Sequence, residues 1–225
     1  MINIAIDGPS GVGKSTAAKG CAARLGIIYA DTGALYRAIA VYVHESGIDA
    51  GDEKAVAVLL ENLNIGISYQ DGQQHVFTNG VDVTGKLRSE EISALASVVS
   101  QYIPVREKLL NIQRELAADN DVVMDGRDIG TVILPEAKVK IFLTAAPGVQ
   151  AQRRYLELKE KGTLGDAAYE TILADILERD HRDSSRAVAP LKPAEDAVVI
   201  DSSEMTADEV VDAILDLVKE RYPDA

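Results

Sequence analysis

The chain has 225 residues, a formal net charge of −13, 47% hydrophobic and 26% charged residues, and one cysteine. That length suits one compact α/β unit with insertions, or a core with a small satellite domain. The acidity excludes holding long nucleic acid through its backbone phosphates, the lone Cys21 excludes an internal disulfide framework, and no run approaches the roughly 20 apolar residues of a membrane span.

Residues 1–7 lack a basic n-region and a long apolar stretch, so they do not read as a signal peptide. With a single cysteine, this predicts a reducing, cytoplasmic setting. Short apolar runs alternate with helical patterns, the rhythm of a parallel sheet wrapped by helices. Strands are predicted over residues 2–7, 27–31, 122–125, 139–144 and 198–201. Asp7, Asp31, Asp125 and Asp201 stand where the chain leaves the sheet, and in open α/β folds ligands bind outside those carboxyl ends.

After the first strand comes Gly8-Pro9-Ser10-Gly11-Val12-Gly13-Lys14-Ser15, a G-x-x-x-x-G-K-[ST] phosphate loop, followed by a predicted helix over residues 16–25. The glycines let backbone N–H groups turn inward, and the helix N-terminus adds positive potential. Lys14 is placed to reach the β- and γ-phosphates of a nucleoside triphosphate, and the Ser15 hydroxyl to ligate Mg²⁺. A glycine-rich turn that merely helps packing is the bland alternative. The loop does not by itself separate kinases from other P-loop NTPases.

The second strand runs into Asp31-Thr32-Gly33-Ala34-Leu35-Tyr36-Arg37. Asp31 and Thr32 can cap the helix that follows, predicted over residues 35–44, and Arg37 lies one to two turns further on. More chain than one crossover needs separates Asp31 from Val122, which predicts an inserted lobe. Residues 65–83 are strand-like and broken by Asp71-Gly72 and Asn79-Gly80, both hairpin signals, and helices resume after Ser89 and again at Val105. Residues 147–165, helical and then punctuated by Gly162 and Gly165, read as a movable flap, and residues 207–222 as a closing amphipathic helix.

Two arginine clusters stand out in so acidic a chain. Asp125-Gly126-Arg127-Asp128 follows a strand, where Asp125 can hold Mg²⁺ directly or through water and Arg127 can fork onto a phosphate. A plain Arg127–Asp128 surface pair is the alternative. Arg179, Asp183 and Arg186 are spaced i, i+4, i+7 and share one face of a helix, as a solvated charged face also does. Cys21 reads as a packed core thiol, and His44, His75 and His181 share no metal-ligand spacing.

With these stretches in hand, the chain resembles bacterial-type cytidylate kinases of the nucleoside monophosphate kinase group. The resemblance rests on residues 6–16, 31–37, 125–132, 140–143 and 178–191, nearly end to end. It implies an α/β fold with a P-loop NTPase-type core, a five-stranded parallel sheet flanked by helices, an α+β NMP-binding lobe and a short helical lid. Residues 1–30, 100–146 and 180–225 would form the core, 31–99 the lobe with its inserted antiparallel sheet, and 147–179 the lid region. The implied reaction is transfer of the ATP γ-phosphoryl group to CMP or dCMP with Mg²⁺. From the sequence itself, which has no obvious exposed apolar stripe, a monomer is expected. In such kinases the residues matching Ser97, Arg106 and Asp128 read cytosine, and those matching Arg179 and Asp183 hold the sugar. Those matching Arg37, Arg127 and Arg186 take the acceptor phosphate. Thr32 falls in the acceptor set, and Thr16 closes the ATP-binding loop, with Arg153 and Arg154 reaching the ATP phosphates from the lid. Catalytic roles fall to Lys14, Asp125, Arg127 and Arg186. Many relatives have glycine where this chain has Ser15. Rival readings are a kinase for UMP or a metabolite, a regulatory P-loop NTPase, and a protein-docking role for residues 65–99; no N-K-x-D guanine-reading segment is present.

Overall fold

A computed structural model describes residues 1–165 and 168–223. The principal sheet has five parallel strands in the order β2-β6-β1-β7-β8, made of β1 (Asn3–Asp7), β2 (Ile28–Asp31), β6 (Val122–Gly126), β7 (Val139–Thr144) and β8 (Val198–Asp201). All five predicted strands are present, each within a residue of its expected ends. The chain divides into two compact units, residues 1–27 with 123–225, and residues 28–122.

In the first unit β1 pairs in parallel with β7, and β7 with β8. Ile4, Ala5, Ile6, Val123, Met124 and Leu143 are fully buried, which is why these strands read as continuous apolar runs instead of alternating ones. α1 (Lys14–Leu25) packs against the closing helix α8 (Ala207–Arg221), which Thr206 and Glu209 start with a capping box. Cys21 is buried in α1, and burial raises its thiol to about 12, so it is a packed and unreactive thiol. α6 (Pro147–Glu160) and α7 (Tyr169–Ser184) pack through Ala151, Leu158, Ile172 and Ile176. Gly162 and Gly165, after α6, both adopt positive φ.

The second unit gathers α2 (Thr32–Glu45), α3 (Glu53–Leu60), α4 (Glu90–Val99) and α5 (Ile103–Asp119) around an apolar cluster that includes Leu35, Ile39, Val56 and Leu109. α5 starts two residues before the expected Val105, because proline fits the first turn of a helix, where its missing N–H costs nothing. The inserted sheet is antiparallel, in the order β3 (Ile65–Gln70), β4 (Gln73–Thr78), β5 (Val81–Asp82). Asp71, Gly72, Asn79 and Gly80 all have positive φ, as tight two-residue hairpin turns require. Among the described residues no helix is long and apolar enough to cross a membrane.

Candidate active site

In the first unit, β1 delivers the chain to the phosphate loop. Gly8 has φ 150°, and a Cβ there would lie 2.0 Å from the Leu143 carbonyl oxygen, so the loop is laid directly against β7. Gly13 caps α1 in a left-handed conformation (φ 94°) with no side-chain cap, which leaves the first N–H groups of the helix directed at the loop. Lys14 is buried, and its ammonium donates to the Pro9 carbonyl. Burial and then the nearby Arg127 guanidinium lower its pKa to about 7, with Asp125 and Asp7 pulling the other way. A polyanion in the loop would restore its charge.

Ser15 Oγ donates to Asp125 Oδ2 at 2.8 Å, joining the start of α1 to the end of β6. A hydroxyl and a carboxylate are hard oxygen donors, and Mg²⁺ takes few protein ligands, keeping waters and phosphate oxygens for the rest. The pair fits such an ion.

Ser10 is a junction. Its N–H donates to Asp180 Oδ1 at 3.1 Å, and its hydroxyl accepts from Arg127 Nη2 at 2.9 Å. Arg127 Nε donates to Asp183 Oδ2 at 2.7 Å, and Asp183 also accepts from Arg186. Burial pushes the Asp183 carboxyl up, but Arg127 and Arg186 outweigh it and hold it below its ordinary value. Asp180 goes the other way: its burial outweighs the Ser10 N–H and Arg127 and raises its carboxyl. Asp183 lies within α7, whereas Arg186 follows the helix end, so the shared face is completed by a turn and not by a continuous helix.

Asp128 is buried and precedes a single π-helical turn, Ile129–Ile133. Asp7 holds that turn: its two carboxylate oxygens accept from the Ile129 and Gly130 N–H groups, each at 2.7 Å. Burial raises Asp7 to about 6 against the pull of those bonds. Arg153 donates to the Val12 and Ser202 carbonyls and the Ser202 hydroxyl, and Arg154 to Glu157.

In the second unit Asp31 caps α2 by accepting from the Ala34 N–H, and its other oxygen accepts from Arg37 Nη2 at 2.8 Å. Arg88 Nη2 stands 3.5 Å from that same oxygen. Thr32 and Ser97 are buried, Arg106 donates to the Ser100 carbonyl, and its guanidinium lies 5.7 Å over the Tyr36 ring. Within the first unit, then, Ser10, Lys14, Ser15, Asp125, Arg127, Asp183 and Arg186 form one connected constellation, Arg153 is tied to the phosphate loop at the Val12 carbonyl and to Ser202, and Arg154 is tied to Glu157. The sequence reading missed Asp7, Asp180 and the Asp31–Arg37 pair. A strand-terminal acid marked Asp7 and Asp31, and nothing marked Asp180 apart from the charge run around it.

The family model described as cytidylate kinase matches residues 4–220. The chain belongs to the cytidylate kinase family. The cytidylate kinase of Caldicellulosiruptor bescii is 50% identical over 96% of this chain and 95% of its own, and that of Lactobacillus johnsonii 46% identical over 98% and 95%. A crystal structure of an uncharacterized protein from Eubacterium ventriosum, 14% identical, superposes with a TM-score of 0.55 over 98% of this chain and 100% of its own, a likeness of fold. For a cytidylate kinase family member, the P-loop and the arginine constellation are the parts a phosphotransferase needs.

Proposed function

We propose that the protein transfers the γ-phosphoryl group of ATP to CMP or dCMP, giving ADP and CDP or dCDP. The observation that carries this reading is Arg127, whose guanidinium bonds at once to the P-loop Ser10 hydroxyl and to the Asp183 carboxylate shared with Arg186. One cation is thereby common to the donor loop and the arginine cluster, as a migrating phosphoryl group requires.

On this reading the loop N–H groups and Lys14 hold the donor phosphates, with Gly8, Pro9, Gly11, Val12 and Thr16 shaping the cradle. Arg37, Arg127 and Arg186 take the acceptor phosphate. Arg179 and Asp183 hold the sugar, and Thr32, Ser97, Arg106 and Asp128 receive the nucleoside. Arg153 and Arg154 serve the ATP side of a helical lid. An acceptor phosphate oxygen forms the new bond to the γ-phosphorus as the bond to the β,γ-bridging oxygen breaks, so no covalent enzyme intermediate and no general base are involved. Lys14 and the arginines offset the charge on the equatorial oxygens. Ser15 and, through water, Asp125 would hold Mg²⁺, which would supply Lewis-acid charge to the transfer.

Asp128 accepts a hydrogen bond from the cytosine 4-amino group, which uracil lacks. We read the protein as a cytoplasmic monomer: large exposed apolar residues such as Val58, Ile103, Leu177 and Val199 stand on separate elements.

ADP formation from Mg·ATP, with CMP, dCMP, UMP, AMP and GMP offered singly, tests the reading. Rapid turnover confined to CMP and dCMP, abolished by EDTA, is expected. Turnover with none of the five would overturn the acceptor assignment, and ATP hydrolysis with no phosphorylated acceptor would favour a regulatory NTPase.

A further inference from the structure

The inserted antiparallel sheet has no part in the chemistry proposed above, yet one of its side chains is built onto the acceptor side. Along β4 the alternation of a strand puts Gln74, Val76 and Thr78 on one face, and Val76 and Thr78 are buried there as β4 packs on α2. Gln74, at the outer end of that face, does not end in solvent. Its Oε1 accepts from the Asp31 N–H at 2.8 Å, and its Nε2 donates to the Asp31 carbonyl at 3.1 Å.

A residue that exchanges both its N–H and its C=O with one partner is what a sheet neighbour provides. β2 is the outermost strand of the five, and Asp31 is its last residue. The Gln74 amide, a donor and an acceptor side by side, therefore stands in for a missing strand at one residue. That residue is the one whose carboxylate caps α2 and grips Arg37. Arg37 is largely buried, and among the described residues its Nε has no hydrogen-bond partner, leaving a donor for a ligand. Tyr69 pairs with Gln74 across the hairpin, and burial together with the Asp31 charge raises its hydroxyl. The hairpin thus closes on Asp31 through Gln74, and the strand carrying it is also packed on α2.

We propose that Gln74 is a positioning residue for the acceptor phosphate, fixing the Asp31 peptide so that Asp31 holds Arg37 in its binding rotamer. The inference rests on the reading of Arg37 as a ligand of the acceptor phosphate. It gives the inserted sheet a task in recognising a nucleoside monophosphate.

Steady-state kinetics with both substrates varied provide the test. Gln74→Ala should raise the KM for CMP about tenfold and leave kcat and the KM for ATP within about twofold of wild type, the pattern of lost uniform binding. Gln74→Met, which keeps the bulk and loses the hydrogen bonds, should do the same, so that a poorly folding alanine variant does not decide the matter. In an Arg37→Ala background neither substitution should raise the KM for CMP further. An unchanged KM for CMP in folded Gln74→Met, KM values rising together for ATP and CMP, or full additivity with Arg37→Ala would each overturn the inference while leaving the role of Arg37 intact. If Arg37→Ala alone leaves the KM for CMP unaltered, the acceptor-phosphate reading fails and the inference falls with it.

Discussion

Arg127 Nε lies 2.7 Å from Asp183 Oδ2, and Asp183 is only 2% exposed, so this ion pair is made largely out of water. Arg186 shares the same carboxylate. Removing the carboxylate with Asp183→Ala should cost about 3–5 kcal/mol in urea unfolding, the penalty for breaking a buried charge pair, and should raise the KM for CMP. Asp183→Asn should cost less, since one acceptor oxygen remains. Because the folded carboxyl lies below its usual 3.8, its contribution is present above that value and disappears as pH falls through the folded pKa. The gap between wild type and Asp183→Asn should therefore narrow in strong acid; a gap that stays constant would deny the pair this role.

Lys14 makes the opposite trade. Its folded pKa of about 7 lies below 10.5, so between these values the unfolded chain binds more protons and stability from this group rises with pH. Lys14→Met should cut turnover by about 10²–10³-fold, the loss typical of one transition-state charge donor. Without nucleotide, the variant should be at least as stable as wild type near neutrality and should lack that rise toward alkaline pH. Denaturant midpoints across the range check the sign.

Asp128 is the proposed base discriminator, buried at the head of a π-helical turn. Asp128→Ala should lower the ratio of kcat/KM for CMP over UMP by about tenfold or more, because a carboxylate left facing uracil costs roughly 1–3 kcal/mol that alanine does not incur. A variant that still strongly prefers CMP would move base reading to Ser97 and Arg106.

Gly8→Ala should be poorly tolerated. The added Cβ would sit 2.0 Å from a backbone oxygen of β7, where no flexible side chain can yield, and φ 150° disfavours it further. Loss of soluble folded protein, or a large fall in melting temperature, is expected; near-normal folding would mean that β7 gives way.

The strands and the P-loop were legible because apolar runs, terminal acids and a glycine pattern are local signals. The hairpin turns were legible for the same reason, as Asp-Gly and Asn-Gly favour positive φ. The turn after Asp128 was not: Ile129-Gly130-Thr131-Val132-Ile133 is rich in β-branched residues that disfavour helix, and Asp7, more than 120 residues away in sequence, holds it by two hydrogen bonds. Helical spacing put Arg179, Asp183 and Arg186 together, but α7 ends at Ser184 and Arg186 folds back on Asp183 from beyond it. Gln74 was invisible for a deeper reason. A glutamine in an alternating hairpin reads as a solvated position, and only the tertiary fold shows that a peptide group lies opposite its amide.

The burial of the Lys14 ammonium reaches beyond the transfer step. A cation kept from water beside Arg127 is a liability that a bound polyphosphate relieves, so nucleotide and fold are linked by mass action. The melting temperature of this protein should then rise with the concentration of ATP around it. When the nucleoside triphosphate supply falls, the enzyme loses a stabilising partner together with its phosphoryl donor.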